Sequence, residues 1–408
     1  MKFELLAPAG DFSKLKTALY FGADAVYVGG KQFSLRALAG NFTDEALAEA
    51  VGYTHRCGKK IYVTVNIFAK NGDLAAAERY FAFLESVGAD AAIVSDPGLI
   101  FLAQNCAPRL PIHLSTQANT TNRLSAEFWA KTGVKRVVLA RELSCGEIAE
   151  IHRHQPQLEL EAFIHGAMCV SYSGRCLLSN YLSGRDGNRG ACVQACRWKY
   201  EIRESGTDGA FLPIEEDGRG TYLLNSKDLN LIDYLPELAG AGVVSFKIEG
   251  RMKSEYYLAT VVNAYRRAID RFERAGSEYR SDPLYRQELK KTAHRDFTTA
   301  YFLGGNDSTI NYENSQSAGT HRFTALVLSY DRERRRALVE MRNRFVCGDE
   351  LEVLSPNDDS FNRHIRVNRL ENEDGAPVTD AKRVQEKLWL YTELPLACGD
   401  ILRKREQA

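Results

Sequence analysis

The sequence contains no apolar run of about eighteen residues, so no membrane-crossing helix is expected. It lacks a secretory pattern as well. After Met1-Lys2-Phe3-Glu4 the next apolar stretch is only about four residues and runs into Gly10-Asp11, so the expected compartment is the cytoplasm. Neither sign of charge is in surplus: 53 Lys and Arg face 53 Asp and Glu. That excludes a strongly basic polyanion binder as a whole and leaves only local basic patches. No G-x-S-x-G elbow, H-E-x-x-H helix, P-loop or dinucleotide fingerprint occurs. Gly29-Gly30 could hold a phosphate, but two glycines are a weak signal. A metal-independent protease would need a recognisable nucleophile–base pair, and none is evident.

What is present reads as globular. Hydrophobic residues make up 44% of 408 and charged residues 26%, enough apolar surface to offset the entropy of ordering. At roughly 150 residues per domain the length predicts two to three domains. Over residues 1–275, short β-rich runs alternate with helical stretches. The strand candidates are Phe3–Ala7, Ala25–Val28, Lys60–Asn66, Ala91–Ser95, Ile112–Ser115, Val134–Leu139, Leu158–Ile164 and Val243–Ile248. Helical spacing marks Phe12–Phe21, Asp44–His55, Leu74–Val87, Ser125–Thr132, Gly146–His154 and Glu255–Ala275. Eight strands with interleaved helices predict an α/β fold, a TIM-type (β/α)8 barrel. An open doubly wound sheet is the alternative. Residues 276–315 read as a linker with a helical segment. From about residue 316 to 408, short alternating runs separated by turns predict a small antiparallel β-barrel domain.

One connection breaks the rhythm. Roughly eighty residues separate Ile164 from Val243, far more than a βα unit needs, and inserts of that length are usually functional or disordered. This insert, at about 165–242, holds Cys169, Cys176, Cys192 and Cys196, spaced C-x6-C-x15-C-x3-C. Four thiols so close together in a reducing compartment suggest an iron–sulfur cluster or zinc; buried core thiols are the bland reading. The other five cysteines do not cluster and read as core or partly exposed thiols.

TIM-barrel active sites lie at strand C-termini. That rim would hold Asn66, Asp96, Ser115-Thr116-Gln117, Arg141-Glu142, His165 and Glu249-Gly250-Arg251. Lys247 and Glu249 alternate with apolar neighbours and should both point into the barrel. His165, Glu249, Arg251 and Lys247 are the catalytic candidates, offering acid–base groups and a carboxylate-binding fork. Asn66, Gln117 and Arg141 are substrate-binding candidates. In the C-terminal region Arg334, Arg335 and Arg336 belong to a basic run suited to RNA phosphates. Interleaved Asp331, Glu333 and Glu340 equally fit a solvated hairpin.

The run from Glu161 through His165, Gly166, Cys169, Gly174 and Cys176 to Ser179 resembles the signature of the collagenase-like peptidase family U32. Leu6-Ala7-Pro8-Ala9-Gly10, Asn225-Ser226-Lys227-Asp228-Leu229 and Phe246-Lys247-Ile248-Glu249-Gly250-Arg251 also resemble it. The resemblance implies a [4Fe-4S] cluster on Cys169, Cys176, Cys192 and Cys196. It adds Ser226, Lys227 and Asp228 to the substrate-binding candidates. The barrel-plus-β-domain size is most similar to members that hydroxylate the wobble uridine of tRNA to 5-hydroxyuridine, with prephenate as the implied metabolite. Expected partners are then a tRNA anticodon stem-loop and a small anionic metabolite, with no membrane. Homo- or hetero-oligomerisation stays open. Peptidase activity, or hydroxylation of ribosomal RNA or a ubiquinone precursor, are the alternatives.

Overall fold

The computed structural model describes residues 2–35, 40–169, 171–198, 216–217, 220–221, 226–304 and 318–406. Eight strands form the barrel wall: β1 Glu4–Pro8, β2 Ala25–Gly29, β3 Lys60–Val65, β4 Ala91–Val94, β5 Ile112–Leu114, β6 Arg136–Val138, β7 Glu159–Ala167 and β8 Val243–Ile248. Each is parallel to its neighbours, and β8 pairs with both β7 and β1, which closes the sheet. Closure removes the open-sheet alternative. The strands are short because both faces are buried: all five residues of β2 are out of solvent.

Helices α1 Phe12–Tyr20, α2 Asp44–Arg56, α3 Leu74–Ser86, α4 Pro97–Cys106, α5 Arg123–Lys131, α6 Cys145–His154, α7 Leu235–Gly240 and α8 Glu255–Ala275 surround the wall. Asp11, Thr43, Asp96, Asn122, Ser144 and Ser254 each cap a helix by accepting a backbone N–H in its first turn. Gly242 carries α7 into β8 at φ +89°, a conformation open to glycine at no steric cost. Helices α4 and α7 were not expected from periodicity. The first is apolar on most sides and the second is six residues long, so neither displays a clean stripe.

Helix α8 buries ten consecutive residues, Tyr256 to Tyr265, because two partners cover it. One is the barrel. The other is the C-terminal sheet, where Phe323 stacks on Tyr256 and Ser355 O accepts from Asn263. That sheet is antiparallel and curled. Its strands are β9 His321–Asp331, β10 Arg336–Met341, β11 Glu350–Leu354, β12 His364–Arg366, β13 Leu370–Asn372, β14 Lys387–Tyr391 and β15 Ile401–Arg405. The order is β12-β11-β15-β9-β10-β14-β13, with the two-residue strand Pro377–Val378 completing the edge beside β13. A separate apolar core fills it, built on Val327, Val339, Leu351, Val353 and Leu390. Arg403 of β15 is fully buried and bonds Glu288 of the short helix Pro283–Leu289, together with Glu352 of β11. A buried guanidinium needs such carboxylates, and here they tie the sheet to the segment that follows α8.

Candidate active site at the barrel mouth

A cavity of about 400 Å³ opens at the C-terminal end of the strands. Its lining joins two parts of the chain that the sequence keeps apart. Tyr27, Thr64, Asn66, Gln117, Arg141, Phe163, Lys247, Glu249 and Arg251 come from the barrel. Cys169, Cys176, Cys192 and Cys196 come from the insert. Asn66, Gln117, Arg141, Lys247, Glu249 and Arg251 therefore share one space with all four cysteines.

The barrel interior below this cavity is ionic. Lys247 Nζ lies 2.5 Å from Glu161 Oε1 and 4.6 Å from the centroid of the Tyr27 ring. The second Glu161 oxygen is 3.2 Å from Arg136, which also meets Glu4 and Glu159. Ser245 and Tyr62 donate to Glu4 at 2.8 and 2.6 Å. Burial raises the Tyr62 phenol, and the Glu4 carboxylate raises it further, so the hydroxyl stays a donor. Burial also pushes the imidazole of His113 well below its ordinary range, and the Arg136 charge adds to this, so the ring is neutral. In this low-dielectric setting the carboxylates hold the two cations in fixed places. Glu4, Arg136 and Glu161 were not among the site candidates. A charged residue at an inward position of an otherwise apolar strand was the available signal.

Arg251 is buried at the rim. Its guanidinium donates to Ser34 Oγ at 2.7 Å and to Thr64 Oγ1 at 3.1 Å. It passes so close to β2 that a Cβ on Gly29 would lie 2.0 Å from it, so position 29 must be glycine while Arg251 takes this path. Gly29 thus makes room for an arginine, and Gly30 makes room for the Tyr80 hydroxyl. Asn66 donates to Gln117 at 3.2 Å, and Arg141 donates to Ala167 O at 3.0 Å while facing the Phe163 ring. Asp96, a rim candidate by position, is spent on capping α4.

Among the described residues, side-chain contacts at Ser173, Arg175 and Arg189 hold the insert over the mouth. Glu142 accepts from Ser173 N and Oγ at 2.6 and 2.7 Å. Arg175 donates to Gln117 O at 2.7 Å. Arg189 donates to Phe68 O and pairs with Asp73, whose carboxyl the Arg189 hydrogen bond pulls down to about 2. Among the described residues no three His, Cys, Asp or Glu side chains converge as metal ligands. The donor set itself suits a cluster. All four cysteines are half-buried and none forms a disulfide. Cys176 Sγ accepts from Leu178 N at 3.4 Å and Cys192 Sγ from Gln194 N at 3.3 Å, amide contacts that favour a sulfur carrying negative charge.

Other candidates lie elsewhere. His165 is outside the cavity. The β7–β8 register shifts between Lys247 and Ile248, beside His165, and this breaks the strand's alternation. The ring packs instead among Tyr257, Tyr265 and Phe297, and burial pushes its pKa down to about 3. Ser226, Lys227 and Asp228 are also absent from the cavity lining. Asp228 opens a short strand, Asp228–Asn230, that pairs antiparallel with the end of β7. There Asp228 and the Ser226 carbonyl hold Arg295. Asn225 lies outside the described residues. The arginine run is split. Arg334 is exposed in a turn, Arg335 pairs with Glu393, and Arg336 lies 4.1 Å over Trp389 with Glu371 beside it. Arg336 is thus packed on the sheet.

The sequence model of peptidase family U32 matches residues 10–311, and that of the peptidase family U32 C-terminal domain matches residues 319–403. The chain belongs to peptidase family U32. The two matches of this U32 chain cover the barrel and the curled sheet in turn. It is 42% identical to the tRNA hydroxylation protein P1 of Bacillus subtilis over 406 residues, 99% of this chain and 95% of that protein. It is 37% identical to the tRNA hydroxylation protein P of Escherichia coli over 429 positions, 95% of this chain and 93% of that protein. The 23S rRNA 5-hydroxycytidine synthase of Escherichia coli is 38% identical over 315 residues, 76% of this chain and 46% of that protein. Among the described residues no helix is long and apolar enough to cross a membrane.

Proposed function

We propose that this U32 chain is an RNA-modifying enzyme of the cytoplasm that hydroxylates the wobble uridine of tRNA to 5-hydroxyuridine. The names of its full-length relatives support the reaction class. The observation that carries the reading is the shared cavity, which the four cysteines line together with Arg251, Lys247 and Glu249. Cys169, Cys176, Cys192 and Cys196 would hold a [4Fe-4S] cluster, which supplies redox or Lewis-acid chemistry when bound. The remaining work falls to the chain. Arg251, oriented by Ser34 and Thr64, binds a carboxylate of a small anionic metabolite, with prephenate the candidate. Lys247, fixed by Glu161, supplies a second positive charge at the cavity floor. Glu249, whose Oε2 lies 3.3 Å from Tyr27 Oη, offers a carboxylate to take up a proton. A wobble base must leave its stack to reach this depth, which single-stranded loops permit. In the C-terminal sheet exposed Arg334 remains for phosphate contact.

The test is nucleoside mass spectrometry of tRNA from a strain lacking the gene, complemented with wild-type chain or with Cys176→Ser. Loss of 5-hydroxyuridine, restored by the wild type alone, is the expected result. Unchanged 5-hydroxyuridine in the deletion strain overturns the proposal.

A further inference from the structure

We infer that the outer face of the cysteine-rich insert is a base-stacking platform for a single-stranded RNA loop. This rests on the RNA-hydroxylation reading and adds where the RNA sits. Large apolar side chains are usually buried. The insert reverses that: Tyr181 is 87% exposed, Leu177 74%, Tyr172 52% and Trp198 44%. Among the described residues, every tyrosine or tryptophan that counts as a large exposed side chain falls within this one stretch. Exposed Phe101 and Phe128 stand apart on separate helices, whereas the insert gathers three exposed rings within one short stretch, and such a set calls for a ligand.

None of these four side chains lines the cavity, but each lies within two residues of one that does. Leu177 follows Cys176, and Tyr181 stands one helical turn beyond Leu177 on the short helix Leu178–Ser183. Leu178 and Ser179 of the same helix line the cavity, as does Cys196, two residues before Trp198. A base stacked on this face is therefore a neighbour of a base entering the pocket.

Charge selects the partner. From Cys169 to Trp198 the sequence has four arginines, one aspartate and no lysine or glutamate, in a chain that is neutral overall, and two of the four, Arg175 and Arg189, anchor the insert to the barrel. Arg185 is exposed in this stretch. Ring faces for bases beside guanidinium groups for phosphates are the combination that single-stranded nucleic acid requires.

The full-length chain is titrated with an RNA hairpin carrying an anticodon-sized loop, and with a blunt duplex of the same stem. Trp198 is the reporter, because Trp129 is buried and Trp389 lies under Arg336. The hairpin should quench its fluorescence and the duplex should not. Tyr181→Ala and Tyr172→Ala should each weaken hairpin affinity by roughly tenfold, the scale of one lost base stack. Tyr181→Phe keeps the ring and should bind as the wild type does. Equal affinity of the alanine variants and the wild type overturns the platform, reassigns the face to a protein partner and leaves the hydroxylation reading standing. If the wild type binds neither hairpin nor whole tRNA, the platform and that reading both fall.

Discussion

Replacing Glu161 by Gln tests whether the ionic floor of the barrel is held by its carboxylates. Glu161 is fully buried and touches two buried cations, Lys247 and Arg136. Glutamine keeps the size and removes the charge. Arg136 retains Glu4 and Glu159. Lys247 has no other carboxylate among its ion pairs in the described residues, and keeps only the Tyr27 and Phe163 rings. Removing one member of a buried pair costs about 3–5 kcal/mol, because the other charge stays buried without compensation. The surviving partners of Arg136 place this case at the lower end, about 3–4 kcal/mol. With a urea slope of about 3 kcal/mol per molar, the unfolding midpoint should fall by about 1 M. Adding Lys247→Met removes the orphaned charge, so the double variant should regain at least about 1 kcal/mol over Glu161→Gln alone. Urea titrations of the three proteins decide the matter. A Glu161→Gln midpoint within about 0.2 M of wild type, or a double variant weaker than the single, refutes the reasoning.

Three further outcomes are expected. Protein purified without oxygen should contain iron and sulfide, and Cys176→Ser or Cys192→Ser should lower both sharply; a single zinc without sulfide sinks the cluster reading. Arg251→Lys loses the fork held by Ser34 and Thr64, so wobble hydroxylation in cells should drop at least about tenfold at unchanged thermal stability; full modification by the variant moves the anion site to Arg141. His165 has its pKa pushed down to about 3 in the fold and near its ordinary 6.5 when unfolded, so between those values only the unfolded chain takes up the proton. Stability should therefore fall by about 1.4 kcal/mol per pH unit as the solution is acidified below about pH 6. His165→Phe should lack that slope, and a difference between the two proteins that stays constant from about pH 7 to about pH 5 argues that the ring is not held neutral.

Much of the candidate site was readable from position along the chain. Asn66, Gln117, Arg141, Glu249 and Arg251 each follow a barrel strand, and a parallel barrel brings all strand C-termini to one face. His165 follows the same rule of position yet lies outside, because the irregular pairing beside it is set by how β7 meets β8. Ser34 and Thr64 carried no signal. Hydroxyls are common, and these two matter only because Arg251 arrives between them from more than 180 residues away.

The sequence by itself determined the alternation of short buried strands with capped helices, and so the barrel. Strand length, β-branching and helix caps are local properties that a chain displays before it folds. It also marked the four cysteines, since their clustering is a fact of spacing. Only the tertiary structure decided which charges meet. Glu4 and Arg136, 132 positions apart, become neighbours because the barrel closes between β8 and β1. Arg336 read as one of a basic run suited to phosphates and became a packed cation, because β10 and β14 set its guanidinium over Trp389. A side chain's partners are fixed by long-range strand pairing, and no local pattern encodes them.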